Sequence, residues 1–352
     1  MQDNLTESHP SIKYSKKINQ LTILEKRGET FKFEAPVTGA TSVIDGVAVS
    51  FGDGNLRFFR PKQAYTAVKA HHGVILCLVT NGDHILTGGD DGRFLQISTN
   101  GKIKEIANFG TKWVDCVAAK NGNLACSSGS IVNVWQEGNE KPIKLKHAST
   151  VGGLSFDKDG IRLAVAHYGG TTIWKNEKRK WKSSKLIWKG FHGAVTFSPD
   201  GKYVVTAMQE NALHGWRIRD KANLAMTGYP TKVKSFVWVG DTPHLVTSGA
   251  NETICWPFDG KDGPMGRSPI CLPNGGEEIA TYVQALTKEK AILSGFKDGS
   301  VFLGEIGESK KATLLKSSSG NEITAIATNV DLSHVLFGDS KGNVLWTTLW
   351  AE

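Results

Sequence analysis

One pattern recurs along this chain and limits what it can fold into. Two short β-forming runs flank a tight corner of Gly, Asp, Asn or other small polar residues, and the second run often ends on an aromatic residue. HILTGGDDGRFLQI from His84, YVVTAMQENALHGW from Tyr203 and HLVTSGANETICW from His244 are three of eight such stretches. The others begin at Val47, Asn123, Arg162, Ala291 and His334. Their corners fall near Asp53, Asp91, Gly129, Gly169, Glu210, Asn251, Asp298 and Lys341, spaced 38 to 47 residues apart. Residues of this kind take the positive-φ conformations that a tight hairpin requires. One hairpin alone is marginal in water. A repeat of about 40 residues built from strands is the mark of a propeller, with about four strands per blade.

The remaining strands follow the same order in each unit. An inner strand leads, the hairpin follows, and an outer strand ends the unit. Inner strands are expected at 41–44, 74–79, 113–118, 151–156, 194–197, 233–239, 279–286 and 323–327. The expected fold is all-β, a single closed propeller of four-stranded antiparallel blades. Eight blades follow from the hairpins, with seven as the alternative. Residues 29–352 form this domain, and residues 1–28 are expected to be a flexible arm made basic by Lys13, Lys16 and Lys17. Leu21 to Leu24 reads as a short extra strand.

Counting strands predicts how the ring closes. The last unit runs out of chain after Trp346 to Leu349, so it lacks an outer strand. ETFKFE, from Glu29 to Glu34, has no unit of its own. Pairing these two segments removes both open edges, which would otherwise invite aggregation.

The repeats resemble the WD-repeat family. Trp135, Trp174, Trp216, Trp256 and Trp346 fall where that family's tryptophan closes the hairpin, and the stretches from Ala70 and Gly190 are the most similar repeats. The aspartate that follows the family's tryptophan is mostly absent. The resemblance implies a hydrogen-bonded scaffold network in which His71, Thr87 and Asp91 take the family's histidine, hydroxyl and corner carboxylate. Ile97 stands at the tryptophan position there. His147 matches the histidine in another unit. Phe191 and Tyr229 occupy that position in two more, and those blades are expected to lean on apolar packing. The resemblance further implies a non-enzymatic scaffold for protein–protein interaction.

The chemistry of the sequence is consistent with a binding role. There is no GxSxG nucleophile, HExxH zinc motif, phosphate-binding glycine loop or EF-hand pattern. The GDDG, FKDG and FGDG corners carry carboxylates that hairpin turns use. Five cysteines at irregular spacing (Cys77, Cys116, Cys126, Cys255 and Cys271) form no disulfide framework and no metal-ligand spacing. No cofactor is expected. The amino terminus is polar and unlike a signal peptide, and no apolar run is long enough to span a membrane. The cytoplasm, or the nucleus in a eukaryote, is the expected location.

Two surfaces are candidates for partners. On the face shared by hairpin corners and the loops leading into inner strands lie Lys112, Trp113, Tyr168, Trp188, Phe191, His192, Tyr229 and Lys232, residues of the type that anchor protein partners. On the opposite face, the connection from Lys175 to Ser184 gathers Lys175, Lys178, Arg179, Lys180 and Lys182 around Trp181, with Lys185 and Lys189 beyond. Only Glu177 opposes them. The net charge of +8 adds a weak general attraction for acidic partners. This basic segment suits an acidic protein partner or, with Trp181 stacking on bases, nucleic acid. A propeller hydrolase or lactonase with a channel metal is the enzymatic alternative. A second long connection, Phe258 to Arg267, marks the sixth unit.

Overall fold

The computed structural model describes residues 21–350 except 179, 241–242, 275, 287–289 and 308–311. The strands are antiparallel to their neighbours throughout and fall into seven hydrogen-bonded sheets. Six of these have four strands, five of them in chain order, such as Val37–Val43, Gly46–Phe51, Asn55–Phe59 and Thr66–Lys69 in the first. The largest sheet is continuous over six segments, and two of these are bent.

Arg162–Glu177 folds back on itself: the backbone N–H of Asn176 donates to the Ile161 carbonyl at 2.9 Å, closing a hairpin around Gly169 and Gly170. Both glycines have positive φ, +88° and +133°. Lys180–Phe197 pairs with residues 170–177 through its first half and with Tyr203–Met208 through its second. The chain turns between the halves at Gly190, where φ is +99°. This sheet therefore supplies two inner strands, 151–156 and 192–197. Both numbers read from the sequence have a counterpart, with seven sheets by hydrogen bonding and eight hairpin units by inner strands.

The first strands of successive units lie against one another around the ring, and between the fifth and sixth units the contact is made by the side chains of Thr196 and Trp238. Hydroxyl side chains bind many of these junctions. Thr41 Oγ1 meets Thr80 Oγ1 at 2.5 Å, Thr281 Oγ1 donates to the Ile323 carbonyl at 2.7 Å, and the Trp238 indole donates to Thr196 Oγ1 at 3.0 Å. The core lies between the blades as a series of apolar layers. In one, Val37, Val49, Phe51 and Phe59 of the first blade meet Ala325, Leu336 and Trp346 of the last. Close-packed apolar surface between rigid sheets is the main stabilising term in such a ring.

Ring closure takes the form expected from the strand count. Glu29–Lys32 pairs antiparallel with Asn343–Thr348, Glu29 opposite Trp346 and Lys32 opposite Asn343. The expected extra strand at Leu21 to Leu24 is instead the start of a helix, Ile23–Arg27. Thr22 caps it, its hydroxyl accepting from Glu25 N while the Glu25 carboxylate accepts from Thr22 N at 2.8 Å. The helix is attached to both of the last two blades. Leu24 is buried with Leu315, Leu345 and Leu349, Arg27 donates to the carbonyls of Thr348 and Leu349, and Glu25 Oε2 accepts from Ser317. The described part of the expected arm is thus a second latch beside the closing strand. Lys13, Lys16 and Lys17 lie outside the described residues.

The third-to-fourth-strand connection of the fourth unit is not a loop. The third strand continues to Glu177 and the fourth resumes at Lys180 directly opposite it, so the segment extends the hairpin. Lys178, the first turn residue, has φ +50°. Arg179 lies outside the described residues.

Candidate partner-binding surfaces

Several positions singled out by the sequence resemblance hold hydrogen-bonded networks. His71 Nδ1 lies 2.8 Å from Asp91 Oδ1, and its Nε2 lies 2.8 Å from Thr87 Oγ1. Burial lowers the pKa of His71 while the neighbouring Asp91 carboxylate pulls it back up. Asp91 also accepts from the backbone of His72 and Arg93 and so fixes its own corner. Asp53, Asp298 and Asp339 accept from backbone N–H groups two residues on in the same way. The corner carboxylates are therefore occupied by turn chemistry.

Two blades expected to lean on apolar packing have networks of their own. In the sixth, the Tyr229 hydroxyl meets Thr247 Oγ1 at 2.7 Å and accepts from Trp256 Nε1 at 2.7 Å. In the fifth, the residue after Phe191 takes the role: His192 Nδ1 lies 2.7 Å from Thr206 Oγ1. A one-residue offset in the loop hid this from a position count. In the fourth, His147 Nε2 accepts from Trp174 Nε1 at 3.0 Å.

These networks decide which face residues can reach a partner. His192 and Tyr229 are buried and are corrected here from candidate anchors to interior residues. Trp188 stacks on His214 at 3.9 Å, so its ring is engaged as well. Phe191 is half-buried, and its ring lies over Gly152. Trp113 and Tyr168 stand out from the surface, 60% and 64% exposed. Lys112 beside Trp113 is exposed, and Lys232 donates to Gln209 Oε1 at 3.0 Å.

The basic segment differs from the expected mobile loop. Trp181 turns back onto the sheet and packs beside Trp174 and Phe156 against Leu163 and Val165. Lys175, Lys178, Lys180, Lys182, Lys185 and Lys189 remain exposed along the ribbon. Glu177 pairs with Lys175 at 3.1 Å and Lys182 at 2.7 Å, and these two ammonium groups hold its carboxyl below the usual range.

A cleft of about 730 Å³ on the same face was not foreseen. Its walls come from the fourth, fifth and sixth blades, including Arg162, Lys202, Arg217 and the connection 258–261. That connection is anchored: Phe258 is buried edge-on to Tyr203 and Trp238, and the Tyr203 hydroxyl donates to the Gly260 and Lys261 carbonyls. Its cations are largely answered locally, Arg162 by Asp157, Lys202 by Asp200 and Arg217 by Asp220 and Asp262.

Among the described residues, no group of three or more His, Cys, Asp or Glu side chains could hold a metal ion. The cysteines are free thiols, and burial pushes Cys116 and Cys255 up to about 12. Cys271 alone of the five is exposed. No helix among the described residues is long and apolar enough to cross a membrane.

Closed ring, four-stranded units and latched ends define a β-propeller. The chain is similar to the computationally designed Ika8 protein, with a TM-score of 0.72 and 17% identity over 90% of this chain and 98% of that one. That likeness is one of fold. In sequence it is 24% identical over 253 residues to U3 snoRNP-associated protein-like EMB2271 of Arabidopsis thaliana, covering 65% of this chain and 51% of that protein. It is also 24% identical over 114 residues to LEC14B homolog of Prunus armeniaca, covering 32% of this chain and 24% of that protein. The chain thus spans about half the length of the first relative and about a quarter of the second. No protein-family model matches it.

Proposed function

We propose that the protein is a WD-repeat-like scaffold that holds protein partners on the face bearing Trp113 and Tyr168. The observation that carries this reading is the exposure of those two large aromatic side chains on a face of hairpin corners and connecting loops, 60% and 64%. A tryptophan and a tyrosine left in water on a rigid frame supply apolar area at little ordering cost on binding. Lys112 beside Trp113 favours a partner with acidic groups around its apolar centre. The WD-repeat assignment rests on the His71–Thr87–Asp91 network and on the five tryptophans at the hairpin ends. A location in the cytoplasm or nucleus belongs to the same proposal.

Affinity capture from the native host tests it. The double variant W113A/Y168A is expected to lose the partners held by the wild type while melting at the same temperature. Retention of the same partners by the variant would remove this face from the account.

A second reading, association with a ribonucleoprotein, has the name of the Arabidopsis relative in its favour, together with the lysines along 175–189. It predicts binding to RNA that weakens steeply with salt. The inward turn of Trp181 counts against it, because the aromatic platform for stacked bases is missing there. A hydrolase with a channel metal has no supporting residue cluster among those described.

A further inference from the structure

We propose that the outer edge of the fourth blade, residues 180–187, accepts an acidic, extended segment of a partner protein as an additional β-strand. This surface runs along the outer edge of the blade from Lys180 to Ile187, which pairs with Gly170, two residues beyond Tyr168.

The edge is unusual in length. Residues 180–187 make a continuous ladder with 170–177, from Glu177 opposite Lys180 to Gly170 opposite Ile187. The other outer strands, Thr66–Lys69, Ile103–Asn108, Ile143–Lys146, Ala222–Met226, Ile270–Leu272, Thr313–Lys316 and Glu29–Lys32, have 3 to 6 residues. Among the described residues, no strand pairs with the far side of 180–187. Side chains from the next blade do reach its backbone, since Lys221 Nζ donates to the Lys185 carbonyl at 3.3 Å. An edge of this length offers a row of main-chain donors and acceptors to an incoming strand.

Charge selects the occupant. Lys180, Lys182 and Lys185 are exposed along the strand, and Glu177 is already engaged with Lys175 and Lys182. Among the described residues, no carboxylate pairs with Lys180, Lys185 or Lys189. A second copy of this edge would set lysine against lysine across the new ladder, which repels. Lys180 and Lys182 share one face of the strand and Lys185 and Ile187 the other, so glutamate or aspartate at alternate positions of an incoming strand meets Lys180 and Lys182. Exposed Ile187, 75% accessible, gives the far end an apolar contact. Nucleic acid fits less well, because Trp181 belongs to the layer between the third and fourth blades rather than to the surface.

The test uses the full-length protein and a fluorescein-labelled peptide of alternating glutamate and valine, long enough to span the edge. Anisotropy titration is expected to show saturable binding to the wild type and to W113A/Y168A alike. It should weaken by about tenfold or more in K180E/K185E, which leaves the Glu177 pairs intact. The same peptide with every second amide N-methylated, which cannot complete the ladder, should bind the wild type at least about tenfold more weakly. Equal binding of the N-methylated peptide, or undiminished binding to K180E/K185E, would overturn strand addition at this edge. Binding of a labelled oligouridylate with none of the peptide would overturn it in favour of RNA. Thermal melts of K180E/K185E establish that its fold is intact, and the N-methylated arm decides the question on the wild type alone.

Discussion

The Trp256 indole nitrogen donates to the Tyr229 hydroxyl at 2.7 Å, and the same oxygen meets Thr247 Oγ1 at 2.7 Å. Burial pushes the Tyr229 phenol up to about 12, so it stays protonated at any ordinary pH. A phenol here ties a loop to two strands of its blade, as His71 ties another loop to Thr87 and Asp91. Tyr229→Phe keeps the ring and removes the oxygen, leaving the Trp256 indole N–H without its acceptor, while Thr247 Oγ1 keeps its bond to the Ile254 carbonyl. The expected cost is about 1–3 kcal/mol, read as a lower urea midpoint at unchanged slope. A midpoint equal to the wild type would mean that the hydroxyl contributes no stability.

The two latches at the chain ends should each be needed. Leu24→Ala removes a buried side chain from the layer containing Leu315, Leu345 and Leu349 and is expected to cost about 2–5 kcal/mol. Deleting residues 21–33 removes the helix and the strand opposite Asn343–Thr348, exposing that strand as an open edge. The truncated protein should melt lower and aggregate on heating, which light scattering during a thermal ramp detects. Full solubility and an unchanged melt would show that the ring holds without them.

Much of the fold was legible because repetition amplifies weak local signals. No single hairpin was decisive, but eight at similar spacing were, and the leftover strand at Glu29 followed by subtraction. The helix at Ile23–Arg27 escaped because five residues carry too little periodicity. Its capping box, Thr22 with Glu25, was the available signal. The partner surfaces were harder to read for a different reason. Whether Trp181 faces solvent or the neighbouring blade depends on strand parity, and parity depends on where the hairpin turns. The tight turn after Glu177 fixed it, putting Trp181 on the same side as Trp174. His192 took the role expected at Phe191 through a similar one-residue shift. Trp113 is exposed ahead of the strand it leads into, and Tyr168 is exposed at the hairpin corner beside Gly169.

Buried histidines should make stability depend on pH above the carboxylate range. Burial lowers His147 and His214 to about 4 from an ordinary value of 6.5, with neighbouring histidines adding to the effect. In the folded protein both stay neutral at pH values where the unfolded chain takes up protons. Their contribution is therefore full above about pH 6.5, falls as the pH drops toward about 4, and is gone below that. With both groups partly screened by solvent, the loss should be about 1–2 kcal/mol per histidine. Urea unfolding at pH 7.5 and 4.5 measures it. His147→Gln retains an acceptor for Trp174 Nε1 but cannot titrate, so its stability should fall less over the same interval. An identical fall in H147Q would assign the pH dependence to other groups.

The hairpin corners make a steric prediction that separates backbone conformation from close approach. Gly92 has φ +75° at the corner fixed by Asp91, and a Cβ there would stand 2.0 Å from the Gly110 carbonyl oxygen. That carbonyl lies just past the outer strand of the same blade, where Phe109 N–H donates to the Gly92 carbonyl at 2.8 Å, so the corner abuts the start of the connection to the third blade. Gly82 has a similar φ, +61°, on a turn with open space around it. Gly82→Ala should cost only the left-handed conformation, about 1–2 kcal/mol. Gly92→Ala must also displace a neighbouring backbone and should cost about 1–3 kcal/mol more. Denaturant midpoints of the two variants give the difference directly. Equal losses would show that the blades are loose enough at this junction to accept a methyl group, and that the corner glycines serve conformation alone.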